Sequence, residues 1–155
     1  MKDVASVYIE KALLGKKEEI LQMSAVFNDG KKFKFITRYV VNSIRQSWDA
    51  VNEKEAFESF KPILENRKII LHNDCGVDLK ILNRRWLDFF NQTFNNDIYD
   101  ISHKAKVKGL KKTSIKNLCN HYGINIKNTK AFPSTVTKAQ NLFMIGVKMF
   151  NIGKN

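Results

Sequence analysis

Lysine is the residue type whose placement says most about chemistry in this chain. Residues 101–155 hold eleven lysines and no aspartate or glutamate, whereas residues 1–100 are nearly balanced, so almost all of the +12 formal charge sits in the C-terminal part. An AT-rich genome could inflate lysine and asparagine together, but it would not remove every carboxylate from so long a stretch. The asymmetry instead fits a polyanion met over one face, most simply nucleic acid. Lys104, Lys106, Lys108, Lys111 and Lys112 form the densest run. If the segment is extended, Lys104, Lys106 and Lys108 share one face, because side chains alternate along a strand. Ammonium groups so placed contact phosphates and add salt-sensitive affinity without reading sequence. As a solvated loop the same run would have no such role.

Other residue types offer fewer possibilities. Glu10 is a lone carboxylate closing an apolar run, and His72-Asn73 close another. The carboxyl ends of strands are where α/β folds bind ligands, although Asn73 or Asp74 could equally cap the helix that follows. Phe33, Phe35 and Tyr39 could stack on nucleobases or fill a core. His72, His103 and His121 are too scattered for a zinc site. Cys119 and His121 would face different ways on a helix. Cys75 and Cys119 read as reduced packing thiols. No apolar run reaches the about 18 residues a membrane span needs, and the N-terminus lacks a signal-like apolar stretch. A cytoplasmic protein with no membrane partner is the expectation.

The elements that must position these groups follow from periodicity and punctuation. Ala5–Ile9 and Ile20–Phe27 read as strands joined by a polar loop over residues 11–18, and Asn28-Asp29-Gly30 as a hairpin turn. Lys31–Ile36 alternates lysine with Phe33 and Phe35, as a half-exposed strand does. Residues 38–51 carry no clear signal. Asn52 caps a helix with apolar stripe Ala56, Phe57, Phe60, Ile63 and Leu64. Arg67–Leu71 and Asp97–Ser102 read as strands. Helices are expected from Val77, from a cap at Thr113 or Ser114 to Tyr122-Gly123, and from Pro133-Ser134-Thr135 onward. The order β-β-β-α-β-α-β-α-α implies one α/β domain over residues 1–155, with three parallel strands beside an antiparallel hairpin.

Several motifs resemble those of the DnaQ-like, DEDDh 3′–5′ exonucleases of the ribonuclease H-like superfamily. VYIEKALLGKKEEILQMSAV is similar to their opening strand, loop and second strand, EILQMSAV standing where the family has runs such as EIIEIGAV; Tyr8-Ile9-Glu10 replaces its Asp-x-Glu. IILHNDCGVDLKIL resembles the second motif, His-Asn-x-x-Phe-Asp, with one residue inserted; Asp78 is its aspartate counterpart and Asp74 the other candidate. IYDISHKAK and KKTSIKNLCNHYGI look like the family's later strand and the helix beyond it. The third motif, His-x4-Asp, falls at AFPSTVTKAQ, with Phe132 or Pro133 for the histidine and Thr137 or Lys138 for the aspartate.

The resemblance implies a mixed five-stranded sheet flanked by helices, and hydrolysis by two divalent cations held on several carboxylates. Glu10 and Asp78 are the acids retained, and no carboxylate follows Asp100. Few protein ligands hold Mg²⁺ poorly, so no cofactor is expected. An ammonium, from Lys11 or Lys138, is expected to neutralise Glu10 and Asp78 where the family places metal. The expected function is that of a catalytically degenerate exonuclease fold that binds nucleic acid, preferably single strands or 3′ ends. Lys11, His72, Asn73, Lys104, Lys106, Lys108, Lys111, Lys112 and Lys138 are its expected contacts. A weak or rewired exonuclease using Glu10, Asp78 and Asp100 with Mg²⁺ or Mn²⁺ is one alternative, and a protein-interaction module on the same scaffold is another.

Overall fold

The computed structural model describes residues 3–14, 17–41, 48–73, 76–125 and 133–153. Its sheet begins with a long hairpin of β1 (Val4–Leu14) and β2 (Lys17–Asn28), paired from Ala5↔Phe27 to Leu14↔Lys17. The loop expected over residues 11–18 is therefore mostly strand, because backbone pairing continues through lysines and glutamates whose side chains stand clear of the ladder. Asn28, Asp29 and Gly30 turn the chain into β3 (Phe33–Val40). There Asn28 Oδ1 accepts from Gly30 N at 2.8 Å, and Asp29 Oδ1 accepts from Lys31 N at 2.9 Å and Lys32 N at 3.0 Å. Gly30 supplies the left-handed conformation, φ 96°.

Among the described residues six strands form the sheet, in the order β4-β3-β2-β1-β5-β6, rather than the expected five. The addition is β4 (Ala50–Val51), two residues lying parallel to the end of β3. A ladder this short leaves no periodic trace in a sequence. β5 (Lys68–Leu71) runs parallel to β1, and β6 (Ile98–Asp100) parallel to β5, as the order of elements predicts.

Helices cover both faces, which is why β1 and β5 are apolar on both sides. Against Val7, Ile9, Met23, Ile69 and Leu71 pack α1 (Glu53–Leu64) and α2 (Val77–Phe90), through Phe57, Phe60, Leu82 and Trp86. Against Val4, Val26 and Ile70 pack α3 (Ile101–Val107), α4 (Ile115–His121) and α5 (Ser134–Met149), through Ile101, Leu118, Leu142 and Phe143. The expected caps are present: Asn52 accepts from Glu55 N, and Ser114 from Asn117 N. α3 is a fifth helix where a strand end and an extended segment were expected. Its start is fixed by Asp100, whose side chain accepts from His103 N at 3.0 Å.

One contact sets how closely α5 approaches the sheet. A Cβ added at Gly146 would lie 2.5 Å from Ile70 Cδ1 and 3.0 Å from Ile70 Cγ1. Ile70 is fully buried and cannot swing away. Gly146→Ala should therefore lower stability by about 1–3 kcal/mol through overpacking, measured by urea unfolding. Pairing it with Ile70→Val should recover part of the loss. An unchanged midpoint for the single variant would show that the helix lifts freely.

Candidate site at the carboxyl edge of the parallel strands

Since β1, β5 and β6 run parallel, their carboxyl ends share one edge of the sheet. Glu10 and Lys11 stand on β1, His72 and Asn73 follow β5, and Asp100 closes β6. The edge is the one on which ligands gather in open α/β sheets. The β1–β2 register slips there, from Glu10↔Gln22 to Lys11↔Ile20, leaving Leu21 as a bulge residue.

The bulge precedes the central interaction of the site. Lys11 Nζ forms an ion pair with Asp78 Oδ1 in the first turn of α2. Asp78 is only 5% exposed. Burial pushes its carboxyl above the ordinary range, and the Lys11 hydrogen bond and charge pull against that push. Lys11 keeps 30% of its side chain in solvent, so the ammonium bridges water and a dry carboxylate. The expected neutralisation by a lysine thus holds for Lys11 and Asp78. Lys138 is elsewhere: its Nζ lies 4.8 Å from the centre of the Tyr8 ring.

The remaining groups are engaged in holding elements together. Asn73 Nδ2 donates to Asp100 Oδ2 at 3.2 Å, while Asn73 Oδ1 accepts from Leu79 N at 3.0 Å, so Asn73 tethers α2 to the end of β6. Asp100 uses its other oxygen as the α3 cap. His72 Nε2 lies 2.6 Å from the Thr113 carbonyl oxygen, which makes Nε2 the protonated nitrogen and ties β5 to the approach to α4. Strand alternation puts Glu10 on the side of Tyr8, which faces α5, and Lys11 on the side of Val7 and Ile9, which faces α2. Glu10 and Asp78 therefore point away from each other across the sheet. Among the described residues no three His, Cys, Asp or Glu side chains gather to hold a cation. The donor set among the described residues does not fit a two-metal centre. Asp74 and Phe132, candidates for the second and third motifs, lie outside the described residues, as does Cys75. Pro133 precedes α5, and Thr137 lies within it.

The lysine run does not form the expected extended face. Because α3 is helical, Lys104 and Lys108 lie one above the other while Lys106 is about 200° around the axis from Lys104. Lys104 Nζ sits 5.9 Å from the Phe150 ring centre, and Lys108 Nζ sits 5.8 Å from that of Tyr122. Lys148 Nζ donates to the Tyr122 carbonyl at 2.7 Å, and Lys111 and Lys112 stand exposed between α3 and α4. Aromatic rings and a carbonyl are thus the neighbours of Lys104, Lys108 and Lys148 among the described residues. Two features went unread in the sequence. Under the start of α5, Ser24 Oγ meets Thr37 Oγ1 and Thr135 Oγ1, each at 2.8 Å. Trp48 is 98% exposed just before β4, and a tryptophan amid Asn, Ser, Arg, Gln and Asp was the signal available for it.

No protein-family model matches the chain, and no curated protein matches it significantly.

The raised carboxyl of Asp78 has a definite consequence for stability. Its folded pKa exceeds its unfolded value, so the charged form costs stability at neutral pH, and that cost fades as pH falls through the folded pKa. The melting temperature of Asp78→Asn minus that of wild type should thus be more positive at pH 7 than at pH 4. Lys11→Met, which leaves the carboxylate unpaired, should cost about 1–3 kcal/mol at pH 7 and less in acid. A difference that ignores pH in both variants would mean Asp78 behaves as an exposed carboxylate.

Proposed function

We propose that the chain is a catalytically degenerate protein of ribonuclease H-like, DEDDh exonuclease-type fold that binds nucleic acid, single strands or 3′ ends foremost, in the cytoplasm. One observation carries this reading: eleven lysines and no carboxylate occupy residues 101–155, the stretch that contributes α3, α4 and α5 to one face of the sheet. A phosphate backbone is the ligand that such a face attracts through counterion release. Support for the fold assignment comes from the order of the motifs and from three parallel strands beside an antiparallel hairpin. The Lys11–Asp78 pair supports loss of the metal site, because an ammonium occupies the carboxylate that a cation would need. An exonuclease built on Glu10, Asp78 and Asp100 would have to break that pair, detach Asp100 from Asn73 and turn Glu10 across the sheet. Among the described residues no helix is long and apolar enough to cross a membrane.

Labelled single-stranded DNA and RNA, mixed with the pure protein in Mn²⁺ or EDTA, test the proposal in one gel. Retardation that survives EDTA, weakens with salt and leaves the strand full length is expected. Lys104→Gln with Lys108→Gln should reduce the slope of log affinity against log salt by about 1.4, at roughly 0.7 per phosphate contact on a single strand. Metal-dependent shortening from the 3′ end, abolished by Glu10→Ala, would overturn the proposal in favour of a nuclease. Absence of retardation even at low salt would turn it toward a protein-interaction module.

A further inference from the structure

Exposed aromatic rings fall on the β3–β4 side of the sheet. Among the described residues, the exposed phenylalanines and tryptophans are Phe33 (51%), Phe35 (43%) and Trp48, all on β3 or leading into β4. Phe33 and Phe35 share a strand face, about 7 Å apart by the rise of two residues. Phe33 is braced edge-on against Phe143, ring centres 5.2 Å apart, and so is held in place with half of its surface open. β4 pairs with β3 only at Tyr39 and Val40, and among the described residues no strand continues the sheet alongside Phe33–Arg38. A shallow hollow of about 520 Å³ follows this edge, lined by Phe33 and Phe35 and, toward the α1 side of the strand, by Phe27, Lys32, Lys34, Ile36 and Ile63.

The charges around the rings are mostly positive. Asp29 is occupied by Lys34 at 2.6 Å and by the turn amides, and these contacts hold its carboxyl far below the usual range. Lys31 and Lys32 remain exposed beside it, and Asp49 is the carboxylate next to Trp48. Flat rings interleaved with lysines suit a polymer of flat bases on an anionic backbone, since every base has a face to stack. A second copy of this chain docked through the same edge would set its own Lys31 and Lys32 against this pair and be repelled.

We propose that the outer edge of β3 and the entry to β4 form a stacking platform for single-stranded polynucleotide, with Phe33, Phe35 and Trp48 against bases and Lys31 and Lys32 against phosphates. This rests on the nucleic-acid reading above and adds to it a site toward the other edge of the sheet from α3, where base stacking, unlike the lysine contacts, is not screened by salt.

The two tryptophans make the test direct, because Trp86 is buried and Trp48 is not. The full chain is titrated with oligothymidine of roughly 15 nucleotides, with an abasic strand of equal length, and with a duplex, following tryptophan emission. Oligothymidine should quench Trp48, and the abasic strand and duplex should bind more weakly and quench little. Phe35→Ala and Trp48→Ala should each weaken oligothymidine binding by roughly 5- to 100-fold while leaving the salt slope unchanged. Trp48→Ala removes a side chain that packs against almost nothing, so the test does not depend on how the strand variant folds. Equal binding of thymidine and abasic strands, with no quenching, would overturn the platform while leaving the basic face standing. Binding of neither would remove both. A concentration-dependent dimer that Trp48→Ala dissolves would assign the edge to self-association instead.

Discussion

The structure depends on β1 being paired on both edges and covered on both faces at once. β2 and β5 take its two edges, and α1 and α2 on one side and α5 on the other take its faces. Every residue from Val4 to Ile9 must therefore be apolar, small, or supplied with a partner inside the protein. Ser6 shows the last case: its hydroxyl donates to the Ala139 carbonyl at 2.6 Å, fixing α5 over the strand. Polar chemistry becomes available only where β1 emerges from this cover, and there the chain places Glu10 and Lys11.

Charge follows the same division into faces. The helices packed on the Val7 and Ile9 side carry acids and bases in balance and pair most of them locally, with Lys54–Glu58, Lys61–Glu65 and Arg84–Asp88 at i,i+4 spacing and Arg85–Glu53 between α2 and α1. Most such exposed pairs contribute little to stability, but they leave that face close to neutral. Helices α3, α4 and α5 have lysines and no acid of their own. The sheet thus separates a self-neutralised layer from a cationic one, and an approaching polyanion is oriented before it makes any contact. Within the neutral layer, Asp78 is the exception that burial would penalise, and Lys11 reaches it from the strand.

Sequence made some of this legible and not the rest, for identifiable reasons. The hairpin turn and the Asn52 and Ser114 caps are local devices, and all stand where the residues place them. The parallel arrangement of β1, β5 and β6 followed from element order. The length of the first hairpin did not, because Leu13-Leu14 and Lys17–Glu19 belong to a stretch with the composition of a loop while their backbone still pairs. Nor did α3, since alternation of Lys104, Ala105, Lys106 and Val107 suits either period and only the cap at Asp100 decides for helix. At the site, the sequence brought Glu10, Lys11, Asn73 and Asp78 to one edge. Which way Glu10 and Asp78 point was hidden, because it depends on which helix covers which side of β1.

The hairpin also extends past its support. β5 accompanies β1 only as far as Ser6, and β3 accompanies β2 only from Gln22, so the pairs from Lys11↔Ile20 to Leu14↔Lys17 form a two-stranded arm. This arm overhangs α2 across a hollow of about 1110 Å³ lined by Leu13, Glu18, Ile81 and Arg84. Two strands alone are marginally stable in water, so beyond Ile20, which is itself buried in the core, the arm has less neighbouring support than the rest of the hairpin. Lys11 stands at its hinge. Each opening would draw the ammonium off Asp78 and wet the carboxylate, coupling the breathing of a distal arm to the charge state of a buried acid.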